Sequence, residues 1–454
     1  MILELKPSTG KENRLYRSIW RWHFYAGLIF APLLILLAIT GLIYLFKPQI
    51  EPILYKNLYV VQAGQQMPLP ASNQIALVKE RYPEADIVKF RPSDEPDRSS
   101  EVGIKLGEEA LIVYVNPYTG AILGSQQESS QFMQIIKKLH GELLIGKIGD
   151  RIIELAACWA IILLVTGLYL WWPRDSKSIF GTFLPRFSNN KRIFWRDLHA
   201  VPAMWLSLGI VLLIMTGLPW SGVWGDNLSR IALSTQTGYP AQLWDNVPKS
   251  SLPAKAVADV PWAAGNMPVP QSGASHGTPT IPVEEVMRTV EGSSVHSGYT
   301  ITMPQGDKGV YTVAVFPKFP KDQATLHIDR YSGEILADLR FANYGPLAQA
   351  IEIGIALHEG RYFGLPNQIL GAIACMGLIG ISLSGVIMWW KRKPAGRLGA
   401  PARPKERKFY KSIAIIVIGF GIFFPLVGVS LLAVLAIDWL VIRRVRKVKD
   451  DLSA

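Results

Sequence analysis

The sequence predicts an α-helical polytopic membrane protein, internally duplicated, with two α+β extracytoplasmic domains. Three observations lead there. The 454-residue chain is 49% hydrophobic and only 18% charged, against about 25% charged in ordinary soluble domains. Long apolar runs recur along it, the first of about 25 residues, enough to cross a ~30 Å hydrocarbon core. Histidines also fall at matched places in two copies of one pattern. His23 and His199 are each followed seventeen positions later by Thr-Gly, at Thr40-Gly41 and Thr216-Gly217. His140 and His358 each precede Thr-Gly or Ser-Gly by twenty-six positions, at Thr166-Gly167 and Ser384-Gly385, in runs that end in Trp-Trp.

Charge sets the order of the elements. The net charge of +12 does not mark a nucleic-acid face, because the basic residues cluster beside apolar runs: Arg14, Arg17 and Arg21; Arg174, Lys177, Arg186, Lys191 and Arg192; Lys391, Arg392, Lys393 and Arg397. That bias marks cytoplasmic loops. Residues 1–21 are then a cytoplasmic N-terminus, and 22–46 the first span. The apolar run there is too long for a secretory signal and has no small-residue cleavage motif, so it is expected to stay as an anchor. Residues 47–150 form a first exported domain, 151–172 a second span, 173–194 a cytoplasmic loop and 195–221 a third span. Residues 222–366 form a second exported domain, 367–390 a fourth span and 391–409 a second cytoplasmic loop. Cys158 and Cys375 fall inside spans and read as small core residues rather than a disulfide pair.

The two exported domains match each other. Val115-Asn-Pro-Tyr-Thr-Gly-Ala-Ile-Leu123 parallels Ile328-Asp-Arg-Tyr-Ser-Gly-Glu-Ile-Leu336, each a strand, an Asn/Asp turn with glycine, and a strand. Helical stretches at Ser72–Arg81 and Val283–Val290 precede alternating segments, so each unit is expected to be one helix on a small antiparallel sheet. Residues 222–280, rich in Pro, Ala, Gly and Ser, have no counterpart in the first half and are expected to be a long surface excursion. The apolar run 410–442 is a single helix or a helical hairpin. Gly419, Gly421, Pro425 and Gly428 break its middle, and a hairpin keeps the basic tail 443–454 on the cytoplasmic side.

Histidine is a common metal ligand, and ionisable groups at membrane helices are functional candidates by default. His23 and His199 lie near the cytoplasmic ends of the first and third spans, and His140 and His358 just before the second and fourth. Copies in the same orientation are related by an axis along the membrane normal, which pairs His23 with His199 and His140 with His358, and paired histidines on facing helices are how membrane proteins hold haem iron. The competing reading is that of amphipathic anchors, which fits one interfacial histidine better than four at repeated spacings. Small Thr-Gly pairs suit close helix packing and room for a flat macrocycle alike. Arg21, Arg196 and Arg361, with Lys137 and Lys138, lie near the histidines and are candidate partners for haem propionates; Arg21 and Arg196 also satisfy the positive-inside bias. His276, His296 and His327 have no matched partner and read as surface or packing residues.

Leu139-His140-Gly141 and Leu357-His358-Glu359 before Trp-Trp-terminated spans, with the Asn/Asp-x-Tyr-Thr/Ser-Gly turns at 116–120 and 329–333, resemble the PepSY-associated transmembrane helix family over residues 14–395. The exported domains are then PepSY-like. The resemblance implies an inner-membrane, multi-pass protein with its exported domains in the periplasm. It implies two b-type haems, held by His23/His199 and His140/His358, and reduction of ferric siderophores. No dinucleotide fingerprint or phosphate loop is present, so the electron donor is a quinol, a soluble reductant or a redox protein. The segments 222–280 and 410–442 depart from the family pattern. Two other classes stay open: a non-redox module whose PepSY domains bind or inhibit an envelope peptidase, and an iron or siderophore transporter.

Overall fold

A computed structural model describes residues 10–63, 67–173, 178–187, 190–238, 249–273, 279–394, 398–399 and 411–437. In chain order the elements are α1 (Gly10–Leu45), α2 (Lys47–Leu54), α3 (Lys56–Tyr59), α4 (Ala71–Arg81), β1 (Asp86–Arg91), β2 (Ser100–Leu106), β3 (Glu109–Val115) and β4 (Ile122–Gln127). Then come α5 (Phe132–Glu142), α6 (Lys147–Trp171), α7 (Lys191–Gly217), α8 (Trp224–Ser234), β5 (Lys249–Pro253), α9 (Trp262–Gly265) and β6 (Pro268–Pro270). The chain continues through α10 (Val283–Gly292), β7 (Thr300–Thr302), β8 (Tyr311–Val315), β9 (Ala324–Ile328), β10 (Ile335–Arg340), α11 (Pro346–His358), α12 (Leu365–Arg392), α13 (Lys411–Phe423) and α14 (Pro425–Ile437).

The chain divides into two compact units. One comprises Met1–Ile43, Lys138–Asp226 and Ile369–Ala454, the other Tyr44–Lys137 and Asn227–Gln368. Among the described residues, four helices are long and apolar enough to cross a membrane: Leu15–Leu45, Lys147–Trp171, Lys191–Trp220 and Leu365–Arg392. In the first unit α6 packs on α7 and on α14. The C-terminal run is a hairpin of α13 and α14, broken at Phe424. Gly421 makes it possible, since a side chain there would meet the Gly428 backbone at 3.2 Å. Phe424 and Val427 are buried against Cys158, Ile161 and Leu218, and Trp159 donates its indole N–H to Ser430 Oγ at 3.1 Å.

The second unit is built on one eight-stranded sheet, ordered β10-β9-β8-β7-β1-β2-β3-β4. Two separate sheets are the sequence expectation; instead β1 and β7 pair antiparallel, Lys89 opposite Thr302 and Phe90 opposite Ile301. The order reads outward from that seam as first, second, third and fourth strand of each half. Joining the two first strands removes two exposed edges. Side chains alternate between faces along each strand. Val113, Val115, Val313 and Val315 enter a core covered by α4 and α10. Ile112 and Tyr114 face the other way, against Tyr59 and Tyr55 of the α2–α3 segment.

The expectation for residues 222–280 as a surface excursion is corrected. Ala254, Ala263, Ala264, Met267 and Val269 from this segment form a core with Ala314, Leu339, Tyr344 and Ala348. Composition hid this because the buried residues are small and lie between prolines rather than in a periodic run. The segment is tied down by Glu352 of α11, whose buried carboxylate accepts from the Ala263 backbone N–H (2.9 Å) and Gln323 Nε2 (3.0 Å).

The matched turns have matched geometry. Asn116 Oδ1 accepts from the Tyr118 and Thr119 backbone N–H groups, and Asp329 Oδ1 from those of Tyr331 and Ser332. Gly120 and Gly333 close them at φ of 72° and 74°, a left-handed conformation that glycine adopts without steric cost.

Candidate functional site

His23 lies within α1, and His140 in the last turn of α5. The chain turns sharply after α5, with Leu143, Leu144 and Gly146 all at positive φ (51°, 61° and 63°). This reversal is helped by Gly149, where any side chain would collide with the Glu142 carbonyl. His358 closes α11, and Gly364, six residues later like Gly146 after His140, also has φ of 63°.

The recurring spacings have a common explanation in contacts between antiparallel helices. His23 Nδ1 lies 2.9 Å from Thr166 Oγ1 of α6. His140 Nδ1 lies 2.8 Å from Thr40 Oγ1 of α1. Thus α1 carries a histidine towards one end and a Thr-Gly pair towards the other, and the α5–α6 arm does the same in reverse. His199 follows on α7, with Nδ1 2.8 Å from the Ile381 carbonyl of α12 and 3.4 Å from Ser384 Oγ.

The protonation of these rings follows from their partners. The Thr166 hydroxyl lies 2.7 Å from the Ile162 carbonyl, and the Thr40 hydroxyl 2.8 Å from that of Leu36. A carbonyl has no proton to give, so each hydroxyl donates to it and turns a lone pair to the imidazole. His23 and His140 therefore donate from Nδ1–H, and His199 does the same to the Ile381 carbonyl. With Nδ1–H so engaged, the neutral form of each ring carries its basic lone pair on Nε2, the arrangement in which an imidazole binds a metal.

The glycines of the pairs touch the rings themselves. A Cβ on Gly167 would lie 3.2 Å from His23 Cε1, on Gly41 3.3 Å from His140 Cε1, and on Gly385 3.3 Å from His199 Cε1. Sequence reading left helix packing and room for a flat macrocycle open alike; Gly41, Gly167 and Gly385 seat the rings of His140, His23 and His199. The rings of His23 and His199 lie with centroids 6.3 Å apart and planes at 81°.

The candidate propionate partners are placed as follows. Arg21 donates to Tyr25 Oη at 3.1 Å. Arg196 is paired with Asp197 at 3.2 Å. Arg361 is paired with Glu359 at 2.7 Å and donates to the Pro317 carbonyl. Asp197 was not singled out in the sequence, yet it is fully buried and also grips Arg186 through both carboxylate oxygens, at 2.7 and 3.0 Å. His327 is fully buried on β9 and His296 is exposed; His276 lies outside the described residues.

Four apolar spans, with ring-seated histidines on facing helices and a sheet-based unit between them in the chain, define a polytopic membrane protein. The chain belongs to the family described as PepSY-associated TM region, whose profile matches residues 20–392. That stretch includes the four repeated histidines and ends before α13. No curated protein matches the chain significantly.

Proposed function

We propose that the protein is a duplicated di-haem b oxidoreductase of the bacterial inner membrane. The observation that carries the proposal is the His23–His199 pair, with both Nδ1 atoms engaged by acceptors. Two imidazoles sharing one metal through bonds of about 2.0 Å would place their ring centres about 6 Å apart, and these lie at 6.3 Å. The residues present thus fit a bis-histidine haem site. Gly167 and Gly385 leave the rings room, and the Thr166 hydroxyl and the Ile381 carbonyl fix their tautomer. The repeated spacing in the sequence extends this reading to His140 and His358 as ligands of a second haem. A bound b-type haem supplies one-electron transfer; the polypeptide orients the ligand rings, sets their basicity through Nδ1 and excludes water from them.

The resemblance supports ferric siderophores as the substrate. Their oxygen donors hold Fe(III) more tightly than Fe(II), so reduction releases the metal. Orientation follows from charge and aromatic anchors at one end of the helical unit. Lys391 lies over Trp195 at 4.9 Å, Arg392 over Trp20 at 6.0 Å and Lys393 over Trp390 at 4.1 Å. Basic residues with interfacial tryptophans favour the cytoplasmic face there, and the sheet unit is then periplasmic.

The test is the absorbance spectrum of protein purified from haem-replete cells, with haem quantified per chain. Two low-spin b-type haems are expected, one lost in His23→Ala or His199→Ala, the other in His140→Ala or His358→Ala. A colourless preparation would overturn the proposal, and loss of the same haem in His23→Ala and His140→Ala would overturn the pairing.

A further inference from the structure

The segment joining α6 to α7 is built to hold apolar side chains outward. Residues 178–187 form a tight turn, with the Phe183 backbone N–H donating to the Ile179 carbonyl at 2.9 Å and Gly181 at φ 85°. Three anchors fix it to the helices. Trp171 Nε1 donates to the Thr182 carbonyl and Trp205 Nε1 to that of Phe183, both at 2.9 Å, and Arg186 clasps the buried Asp197. What this scaffold presents is apolar: Ile179, Phe180 and Phe187 are 60%, 59% and 84% exposed, and Phe183 and Leu184 are nearly half exposed. A connecting loop in water is normally polar, and contiguous exposed apolar surface marks an interaction site.

The helix beside it indicates what covers this surface. Trp205, Leu208 and Leu212 are exposed along one face of α7, at the spacing of a helical stripe, and α7 is one of the four candidate spans. The Phe183 ring lies against Trp205, centroids 6.4 Å apart, so the loop prolongs the stripe that faces lipid. Arg186 does not oppose immersion, because its charge is met by Asp197. Lys191 and Arg192 follow at the start of α7, exposed, where they can meet anionic headgroups.

We propose that this loop is a membrane-interface anchor. Ile179, Phe180, Phe183, Leu184 and Phe187 are immersed in the bilayer leaflet at which α6 ends and α7 begins. The occupant of the surface is lipid rather than a soluble protein. The anchor holds the ends of α6 and α7, and with them Thr166 and His199, at a fixed depth. The inference stands on the loop alone and does not require bound haem.

The experiment uses the full-length protein in liposomes containing anionic lipid. Nitroxides are attached at Phe180→Cys, Leu184→Cys and Phe187→Cys, each made separately so that one misfolded variant does not decide the outcome; the native Cys158 and Cys375 are buried. Asp307→Cys, on an exposed turn of the sheet unit, serves as the aqueous reference. Relative to that reference, collisions with oxygen should rise several-fold at the loop positions and collisions with a water-soluble nickel chelate should fall several-fold. Nickel accessibility equal to that at Asp307→Cys would overturn the proposal. So would protection from nickel that appears only when a soluble protein fraction is added, since that would assign the surface to a protein partner.

Discussion

His140 Nδ1 lies 2.8 Å from a Thr40 hydroxyl whose own proton is directed to the Leu36 carbonyl, also at 2.8 Å. One side chain thereby satisfies its helix and selects the tautomer of a ring a hundred residues away. The Thr166–His23 contact repeats the device. On α12 the ring of His199 reaches the Ile381 carbonyl directly, and Ser384 takes the same carbonyl at 2.9 Å. The small residue after each hydroxyl lets the ring come that close.

Removing the acceptor should loosen the haem without removing its ligand. Thr40→Val and Thr166→Val keep the branched shape but leave the Nδ1–H group without its acceptor. Loss of such an outer-shell partner typically costs about 10- to 100-fold in metal affinity. Haem transfer to an excess of apo-acceptor protein should speed up by that order, and Thr40→Ser and Thr166→Ser should restore retention. Equal retention in the valine and serine variants would remove the tautomer argument.

The glycine seats predict a spectroscopic effect. In Gly167→Ala and Gly385→Ala the new methyl would stand 3.2 and 3.3 Å from the His23 and His199 rings, whereas at Gly380 of the same bundle nothing lies within 4 Å. The first two substitutions should rotate an imidazole and shift the low-spin electron paramagnetic resonance spectrum of that haem. Gly380→Ala should leave it unchanged. A spectrum unaltered in all three variants would mean that the rings are not the ligands.

Much of this was legible in the sequence, in ways that can be traced to particular residues. The offsets of seventeen and twenty-six recur because an antiparallel helix pair meets at two levels, and spacing records that. The partner of each histidine was not legible, since a Thr-Gly pair suits any close helix crossing. Nor could sequence tell where Arg196 and Arg361 spend their charge: Asp197 and Glu359 are sequence neighbours, but their side-chain directions are set by packing. The seam between β1 and β7 was hidden because edge pairing depends on backbone groups that carry no sequence signature.

The hairpin lies beyond the matched family region, and it docks where the two halves differ. Phe30 stacks on Trp159 with centroids 5.6 Å apart. By the histidine offsets, these residues correspond to Leu206 and Gly377, where a Cβ on the glycine would run into the leucine side chain. Only the bulkier pair offers an indole N–H to Ser430. Hydrogen bonds between membrane helices average about 0.6 kcal/mol and reach about 1.7. Ser430→Ala and Trp159→Phe should each lower unfolding free energy by about that much, and the double variant by less than the sum. Full additivity in a denaturation series would show that the bond does not join hairpin to α6.

The sheet unit should be sensitive to acid through His327. Burial on β9 holds this imidazole neutral and lowers its pKa from 6.5 to about 4; its Nδ1 lies 3.0 Å from Thr312 Oγ1. The unfolded chain takes up a proton below its ordinary pKa, and the folded chain does not until about pH 4. Stability is therefore complete above the unfolded value and is lost as pH falls from there towards the folded value. The loss amounts to about 3 kcal/mol by proton linkage. Tyr114, the matching position in the other half by the offset of the two turns, is equally buried and does not titrate in this range, so the first half carries no such dependence there. The measurement is thermal or denaturant unfolding of the full-length protein from neutral pH down to about pH 4, compared with His327→Leu. The variant has its own stability at neutral pH, so the slope is the quantity to compare. The parent should lose about 3 kcal/mol more than the variant over that range, with hydrogen exchange of the β8 and β9 amides accelerating in parallel. Identical slopes in the two proteins would show that His327 is already charged in the fold.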